Sequence, residues 1–121
     1  MRSLCFADGL WWYRPYGVER PREISSLMRS TRYNAEALAR ALRLGDRTFR
    51  RMVKESFGVS PGFWLRRERA VAIRHQLREG VRIKQLSTHY GFKNPSDFSA
   101  EFKRWYGITP SCFLSDARQK S

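Results

Sequence analysis

One stretch of this chain occurs twice. The residues VKESFGVSP run from Val53 to Pro61, and FKRWYGITP runs from Phe102 to Pro110, 49 positions later. An apolar residue, lysine, an aromatic residue, glycine, a β-branched residue, a hydroxyl residue and proline recur in the same order. Glycine after a helix commonly ends it in a left-handed conformation, and a hydroxyl residue followed by proline starts the next helix. The sequence therefore predicts the same helix ending in two places.

The first ending closes a pair of helices. Asn34 is a good N-cap for a short helix that ends near Arg43, and Leu44 fills the turn. A second helix is predicted from Gly45 or Asp46 to Phe57, with apolar residues on its inner side.

The second ending closes a similar pair. RIKQLSTHYGF predicts a short helix and its turn, and NPSDFSAEFKRWYG predicts a longer helix capped by Asn94. Between the two pairs, PGFWLRRERAVAIRHQLREG predicts one long helix that closes at Gly80. A further helix is predicted from Pro21, and a short turn follows Pro110.

The expected fold is all-α, with two helix-turn-helix subdomains joined by a long central helix and about seven helices in total. No strand is predicted. Trp11, Trp12 and Tyr13 either cover the first helix as part of the core or form an exposed patch for a second subunit or RNA polymerase. The expected boundaries are an irregular aromatic N-terminal segment at 1–20, a first subdomain at 21–59, a linker helix at 60–80, a second subdomain at 81–116 and a tail at 117–121.

The charge points to a polyanionic partner. Lys and Arg number 24 against 11 Asp and Glu, which gives a formal net charge of +13, and 19 of the cations are arginine. Nucleic acid is the commonest partner of such a chain, and an anionic membrane surface is a less common one. No apolar run approaches the ~20 residues of a membrane span, and the N-terminus lacks the pattern of a signal peptide.

Features of an enzyme are not evident in the sequence. The two cysteines, Cys5 and Cys112, lack metal-ligand spacing, and no nucleophile triad or glycine-rich phosphate loop is present. We therefore expect no catalytic site, no cofactor and no metal.

The second helix of a helix-turn-helix presents its outer face to a major groove. The outer face of the first such helix carries four basic residues: Arg47, Arg50, Arg51 and Lys54. Arginine pairs well with guanine, so we expect guanine in the first half-site; the alternative is that these side chains only neutralise phosphates. The second face is less basic and carries Pro95, Ser96, Ser99 and Lys103. Further phosphate contacts are expected from Asn34, Arg40, Lys93 and Asn94.

The chain resembles the AraC/XylS-type DNA-binding domain over roughly residues 21–114. The most specific matches are FGVSP at 57–61, GF at 91–92, and the pattern F-S-x-x-F-K-x-x-[FY]-G-[IV]-[ST]-P at 98–110. Arg47, Arg50 and Arg51 lie where the family's base-reading side chains are found. Many members carry arginine where this chain has Ala100, so the second helix lacks a strong base contact. Either this half reads little sequence, or it reads thymine methyls and DNA shape through small groups.

The resemblance implies a monomeric transcription factor that reads two adjacent major-groove segments of double-stranded DNA. Full-length regulators of the family carry a separate ligand-sensing domain, for which this chain has no room. It is therefore expected to be a short stand-alone member of the MarA/SoxS/Rob kind, cytoplasmic and nucleoid-associated in a bacterium or phage-infected cell, without a membrane partner. RNA polymerase is a candidate second partner.

A second interpretation stays open. The chain could be an architectural or phage-type DNA-binding module with largely non-specific binding. An RNA-binding protein would need exposed stacking aromatics on its binding face, whereas the predicted faces carry arginine and serine.

Overall fold

The computed structural model describes residues 2–15 and 20–119, without the side chains of 117–119. The chain forms two compact units, Met1–Arg66 and Arg67–Ser121. Seven helices occur in the described ranges, which confirms the predicted all-α class, although a small sheet is added to it. Along those ranges no helix combines the length and the apolar character that crossing a membrane requires.

The first unit begins with an antiparallel hairpin. Strands β1 (Ser3–Ala7) and β2 (Leu10–Arg14) pair in register, with Ala7 opposite Leu10. Asp8 and Gly9 close the hairpin with φ of 55° and 75°, and two consecutive positive φ angles are the mark of a type I′ turn. The prediction of an irregular segment at 1–20 is therefore wrong for residues 3–14. Tyr16 to Glu19, which the same prediction included, lie outside the described residues.

The helix predicted from Pro21 begins later than expected. Arg22 and Glu23 form a short strand, β3, which pairs with Tyr13 and Trp12 of β2. The helix α1 then spans Ser25–Ser30. The Glu23 carboxylate accepts hydrogen bonds from the backbone N–H groups of Ser25 and Ser26, at 2.5 and 3.3 Å, so it caps α1.

The remaining helices of the first unit lie close to their predicted positions. Helix α2 spans Ala35–Ala41, α3 spans Asp46–Phe57, and α4 (Pro61–Arg78) begins in the first unit and ends in the second. Sheet and helices share one core. Its buried hydrophobic residues are Leu4, Tyr13, Ile24, Met28, Leu38, Ala39, Leu42, Phe49, Met52, Val53, Trp64 and Leu65.

Trp11 packs against this core, which confirms the core interpretation for that residue. Its ring makes edge contacts with Phe57 and Trp64, at centroid distances of 5.3 and 5.2 Å. Trp12 lies one position further along β2, is half-buried, and donates a hydrogen bond from Nε1 to the carbonyl of Ala7 at 3.0 Å.

The second unit contains the end of α4 and three further helices. Helix α5 spans Ile83–His89, α6 spans Pro95–Tyr106, and α7 spans Pro110–Gln119. The turn predicted after Pro110 is therefore a helix of 10 residues. The buried hydrophobic side chains of this unit include Ala70, Ile73, Leu77, Leu86, Tyr90, Phe98 and Phe102.

Candidate nucleic-acid interface

Helices α2 and α3 are joined by a turn with a defined hydrogen-bond pattern. Leu42 N–H donates to the carbonyl of Leu38 at 3.0 Å, and Leu44 N–H donates to the carbonyl of Ala39 at 2.9 Å. Arg43 lies between them in the left-handed region, with φ of 59°. The second bond reaches back five residues past a left-handed residue, which is a common way to end a helix. The turn fixes where α3 begins, and the buried side of α3 packs in the core.

The exposed face of α3 carries the four predicted cations. Phe49, Met52 and Val53 are buried, whereas Arg47, Arg50, Arg51 and Lys54 are all exposed. The four recur at i, i+3, i+4 and i+7, so they share one side of the helix. None of them forms an ion pair with any residue in 2–15 or 20–119. Their charge is therefore available to an anion outside the protein.

The second helix pair repeats the first turn almost bond for bond. Tyr90 N–H donates to Leu86 at 3.0 Å and Phe92 N–H donates to Ser87 at 2.9 Å. Gly91 takes the left-handed position, with φ of 79°. One extra residue, Lys93, then precedes the cap of α6.

The two longer helices also end alike. Gly58 after α3 and Gly107 after α6 have φ of 74° and 77°. Each donates its N–H to the lysine carbonyl four residues earlier, and both bonds measure 2.7 Å. The repeat read from the sequence is therefore a repeat of backbone structure.

The exposed face of α6 is poorer in charge than that of α3. Pro95, Ser96 and Lys103 are exposed, and Ser99 is half-buried. At the 49-residue spacing, Arg47, Arg50 and Arg51 correspond to Ser96, Ser99 and Ala100, while Lys54 corresponds to Lys103. Only the cation at the helix end is common to both faces.

The four residues expected to contact phosphates are all exposed. Asn34 and Asn94 also have a structural role, because the Oδ1 atom of each accepts a hydrogen bond of 2.9 Å from a backbone N–H, of Ala37 and Asp97 respectively. Each amide nitrogen remains a donor that could reach an anion. Arg40 lies on α2 and Lys93 in the turn before α6.

Sequence reasoning missed an ion pair that supports α6. Arg69 on α4 contacts Glu101, which lies at the border between the inner and outer faces of α6. The sequence does carry a signal for this pair: Glu101 is charged, whereas its counterpart in the first copy, Met52, is apolar. At the end of the same helix, burial raises the pKa of Tyr106 although Arg74 and Arg78 oppose the shift.

Comparison with known families agrees with this geometry. The profile of a helix-turn-helix domain family matches residues 38–116, which contain both helix pairs. The chain belongs to the AraC-type helix-turn-helix family.

Relatives of this AraC-type domain are bacterial regulators. The chain is 37% identical over 101 residues to the HTH-type transcriptional regulator Rv1395 of Mycobacterium tuberculosis, a match that covers 77% of this chain and 29% of the relative. It is 32% identical over 78 residues to the HTH-type transcriptional activator RhaS of Escherichia coli O157:H7, covering 64% of this chain and 28% of the relative. The chain thus spans less than a third of these relatives' length.

Solved structures share the fold of this AraC-type domain. The DNA-binding domain of AdpA, in complex with a target DNA, matches with a TM-score of 0.65 and 22% identity, over 80% of this chain and 91% of that one. A Chromobacterium violaceum regulator of the AraC type matches with a TM-score of 0.67 and 22% identity, over 79% of this chain and 89% of that one.

Proposed function

We propose that this AraC-type domain is the DNA-reading part of a transcriptional regulator and recognises a specific sequence through two adjacent major-groove segments. The observation that carries the proposal is the cationic face of α3, whose Arg47, Arg50, Arg51 and Lys54 are exposed and form no ion pair within the described part of the chain. Helices α2 and α3, which present this face, are joined by the same backbone hydrogen bonds as helices α5 and α6. DNA offers that face both phosphates and base edges.

The three arginines of α3 are proposed to read bases. Arginine can donate two parallel hydrogen bonds to O6 and N7 of guanine, which makes a guanine-containing first half-site the expected target. Lys54 at the end of α3 and Lys103 at the end of α6 are proposed to bind phosphates, together with Arg40 and Lys93. Ser96 and Ser99 would read the second half-site weakly, through single hydrogen bonds and DNA shape.

The assembly is proposed to be one protein molecule on one DNA site. Two helix-turn-helix pairs in a single chain supply two recognition helices, so the chain needs no partner copy to contact two groove segments. RNA polymerase stays a candidate partner. The relatives named above are bacterial regulators, and bacterial DNA lies in the cytoplasm, so a cytoplasmic, DNA-associated location follows from the proposed function.

Selection from random duplex DNA tests the proposal. The purified chain, bound to a randomised library at fixed salt, should enrich one sequence motif with guanines in its stronger half. A second, weaker block should lie about one helical turn away, since that spacing brings successive major grooves to the same side. Retention of DNA with no enriched motif after repeated rounds would contradict sequence-specific reading.

One observation favours the alternative of an architectural module. The face of α6 offers small and neutral groups at the positions where α3 has arginines. If α6 contributes only phosphate contacts, then a single half-site carries all the sequence information. The selected motif would in that case contain one block, and binding would be dominated by the salt-dependent phosphate interaction.

A further inference from the structure

The inner sides of the two recognition helices differ in charge at one position. Met52 on α3 is 3% exposed and lies among the apolar residues of the first core. At the 49-residue spacing its counterpart on α6 is Glu101. The second copy therefore has a carboxylate where the first copy has an apolar side chain.

That carboxylate is paired inside the second unit. Nη2 of Arg69 lies 2.5 Å from Oε1 and 2.6 Å from Oε2 of Glu101. The two side chains are only 18% and 15% exposed. The Arg69 guanidinium also stacks over the ring of Phe92, the residue that fills the turn before α6, at 4.9 Å from the ring centroid. Arg69 thus contacts both the turn and the recognition helix.

The geometry makes this contact sensitive to the rotation of α6. Glu101 is followed by buried Phe102 and preceded by exposed Ala100, so it lies at the border between the inner and outer faces. Neighbouring residues on a helix differ by about 100° around the axis. A small rotation of α6 would move the carboxylate out of reach of Arg69 and would turn Ser96 and Ser99 relative to the groove.

An unpaired carboxylate at this site would be costly. Removing one partner of a largely buried ion pair leaves an uncompensated charge, and this is strongly unfavourable. The rotation of α6 that the structure shows is the one that keeps Glu101 paired with Arg69. On α3, Met52 lies in the apolar core, and apolar packing tolerates small shifts better than a short two-oxygen contact does.

We propose that Arg69 is a positioning residue for the second recognition helix. By holding Glu101, it fixes the rotation of α6 about its own axis and so determines which side chains α6 presents to DNA. The inference rests on the proposed function for its effect on DNA reading, while the effect on α6 itself does not depend on DNA.

Two conservative variants and one control test the role. Arg69→Lys keeps the charge but loses the planar guanidinium, and Glu101→Gln keeps the shape but loses the charge. Arg78→Ala is the matched control. Arg78 is another α4 arginine that stacks on an aromatic ring of the second unit, here Phe113 of α7 at 5.4 Å, and its charge acts on α6 at Tyr106, the last residue of that helix.

The first readout is hydrogen exchange without DNA. In Arg69→Lys and Glu101→Gln, the amides of α6 should exchange at least about tenfold faster than in the parent, while those of α3 change by less than about twofold, because local opening follows local contacts. The Arg78→Ala control should leave the amides around Glu101 near the parent rate, because Arg78 acts on α6 at Tyr106, at the end of the helix. Unchanged α6 exchange in both variants would overturn the positioning role whether or not the protein reads a specific sequence.

The second readout is half-site discrimination. Scrambling the second half of the selected site should weaken binding of the parent by about tenfold or more, and that penalty should fall below about threefold in the two variants, as expected when base contacts are lost. The penalty for scrambling the first half should stay unchanged. An equal decrease at both halves would indicate general destabilisation and would overturn the proposal. A parent that shows no penalty at either half would contradict the proposed function, and the exchange experiment would then decide the positioning role alone.

Discussion

Arg43 and Gly91 adopt the same left-handed backbone conformation, with φ of 59° and 79°, at equivalent points of the two helix-turn-helix turns. In each turn the next residue donates its N–H to the carbonyl five positions earlier, at 2.9 Å. Glycine takes this conformation without a steric penalty, whereas a residue with a Cβ does not. The first turn therefore carries backbone strain that the second avoids.

Arg43→Gly should stabilise the protein. Relief of the left-handed strain, about 1–2 kcal/mol, exceeds the entropy that glycine adds to the unfolded chain, so we expect a net gain of about 0.5–1 kcal/mol. The reciprocal change Gly91→Ala should destabilise by a similar amount; an added Cβ there meets no other atom within 4 Å, so only the backbone resists it. Urea unfolding of the three proteins measures both effects, and a loss of stability in Arg43→Gly would contradict the strain argument.

Arg50→Ala should weaken specific binding by about 1–3 kcal/mol and relax the choice of one or two base pairs, because a bidentate arginine–guanine contact is removed. Arg47→Ala and Arg51→Ala should act similarly at neighbouring base pairs. Titration of the selected site and of single-base variants measures the change. Arg29→Ala is the control, since this exposed arginine lies on α1, outside the face of α3. If all three α3 variants lost affinity equally for selected and random DNA, base reading by α3 would be wrong.

On the second recognition helix, α6, phosphate binding should outweigh base reading. Ser96→Ala and Ser99→Ala should change sequence preference less than any of the three α3 arginine variants, because a hydroxyl offers one adaptable hydrogen bond. Lys103→Ala should reduce the salt dependence of binding by about one unit of slope and leave preference unchanged, as loss of one phosphate contact requires. Binding measured across a salt series distinguishes these effects. A selected motif with more information in its second half would contradict the predicted asymmetry.

The caps of the recognition helices allow a stability test. Asn94→Ala should destabilise by about 1 kcal/mol, because the side chain that accepts from Asp97 N–H is lost. The equivalent position before α3 is Gly45, which has no side-chain cap, so Gly45→Ser should gain a few tenths of a kcal/mol. Thermal unfolding measures both. If Asn94 also binds a phosphate, its alanine variant will lose affinity for DNA of any sequence, with the salt slope unchanged because a neutral amide releases no counterion.

The helices could be predicted from the sequence because their ends carry local signals. Gly58 and Gly107 stop α3 and α6, and Asn34 and Asn94 cap α2 and α6, as the backbone angles and hydrogen bonds show. These signals act within a few residues. The same holds for the exposed face of α3, which follows from helical spacing alone.

The hairpin was missed although its signal was present. Asp8 and Gly9, between apolar residues, are a strong sign of a type I′ hairpin. The nearby Pro15 and Gly17 instead favoured an irregular interpretation. The contact of Trp11 with Trp64 joins residues far apart in sequence. Local patterns cannot specify such contacts, and this also applies to Arg69 and Glu101.

The ratio of dissociation constants for the selected site and for random duplex, measured by competition at one fixed salt concentration, tests the central claim most directly. Specific DNA readers bind their sites about 10³-fold or more tightly than random DNA, because base contacts add to the phosphate interaction. We expect a ratio above ~10³ for the parent, and a decrease of at least about tenfold for Arg50→Ala. A parent ratio below ~10³ would contradict sequence-specific reading and favour the architectural module.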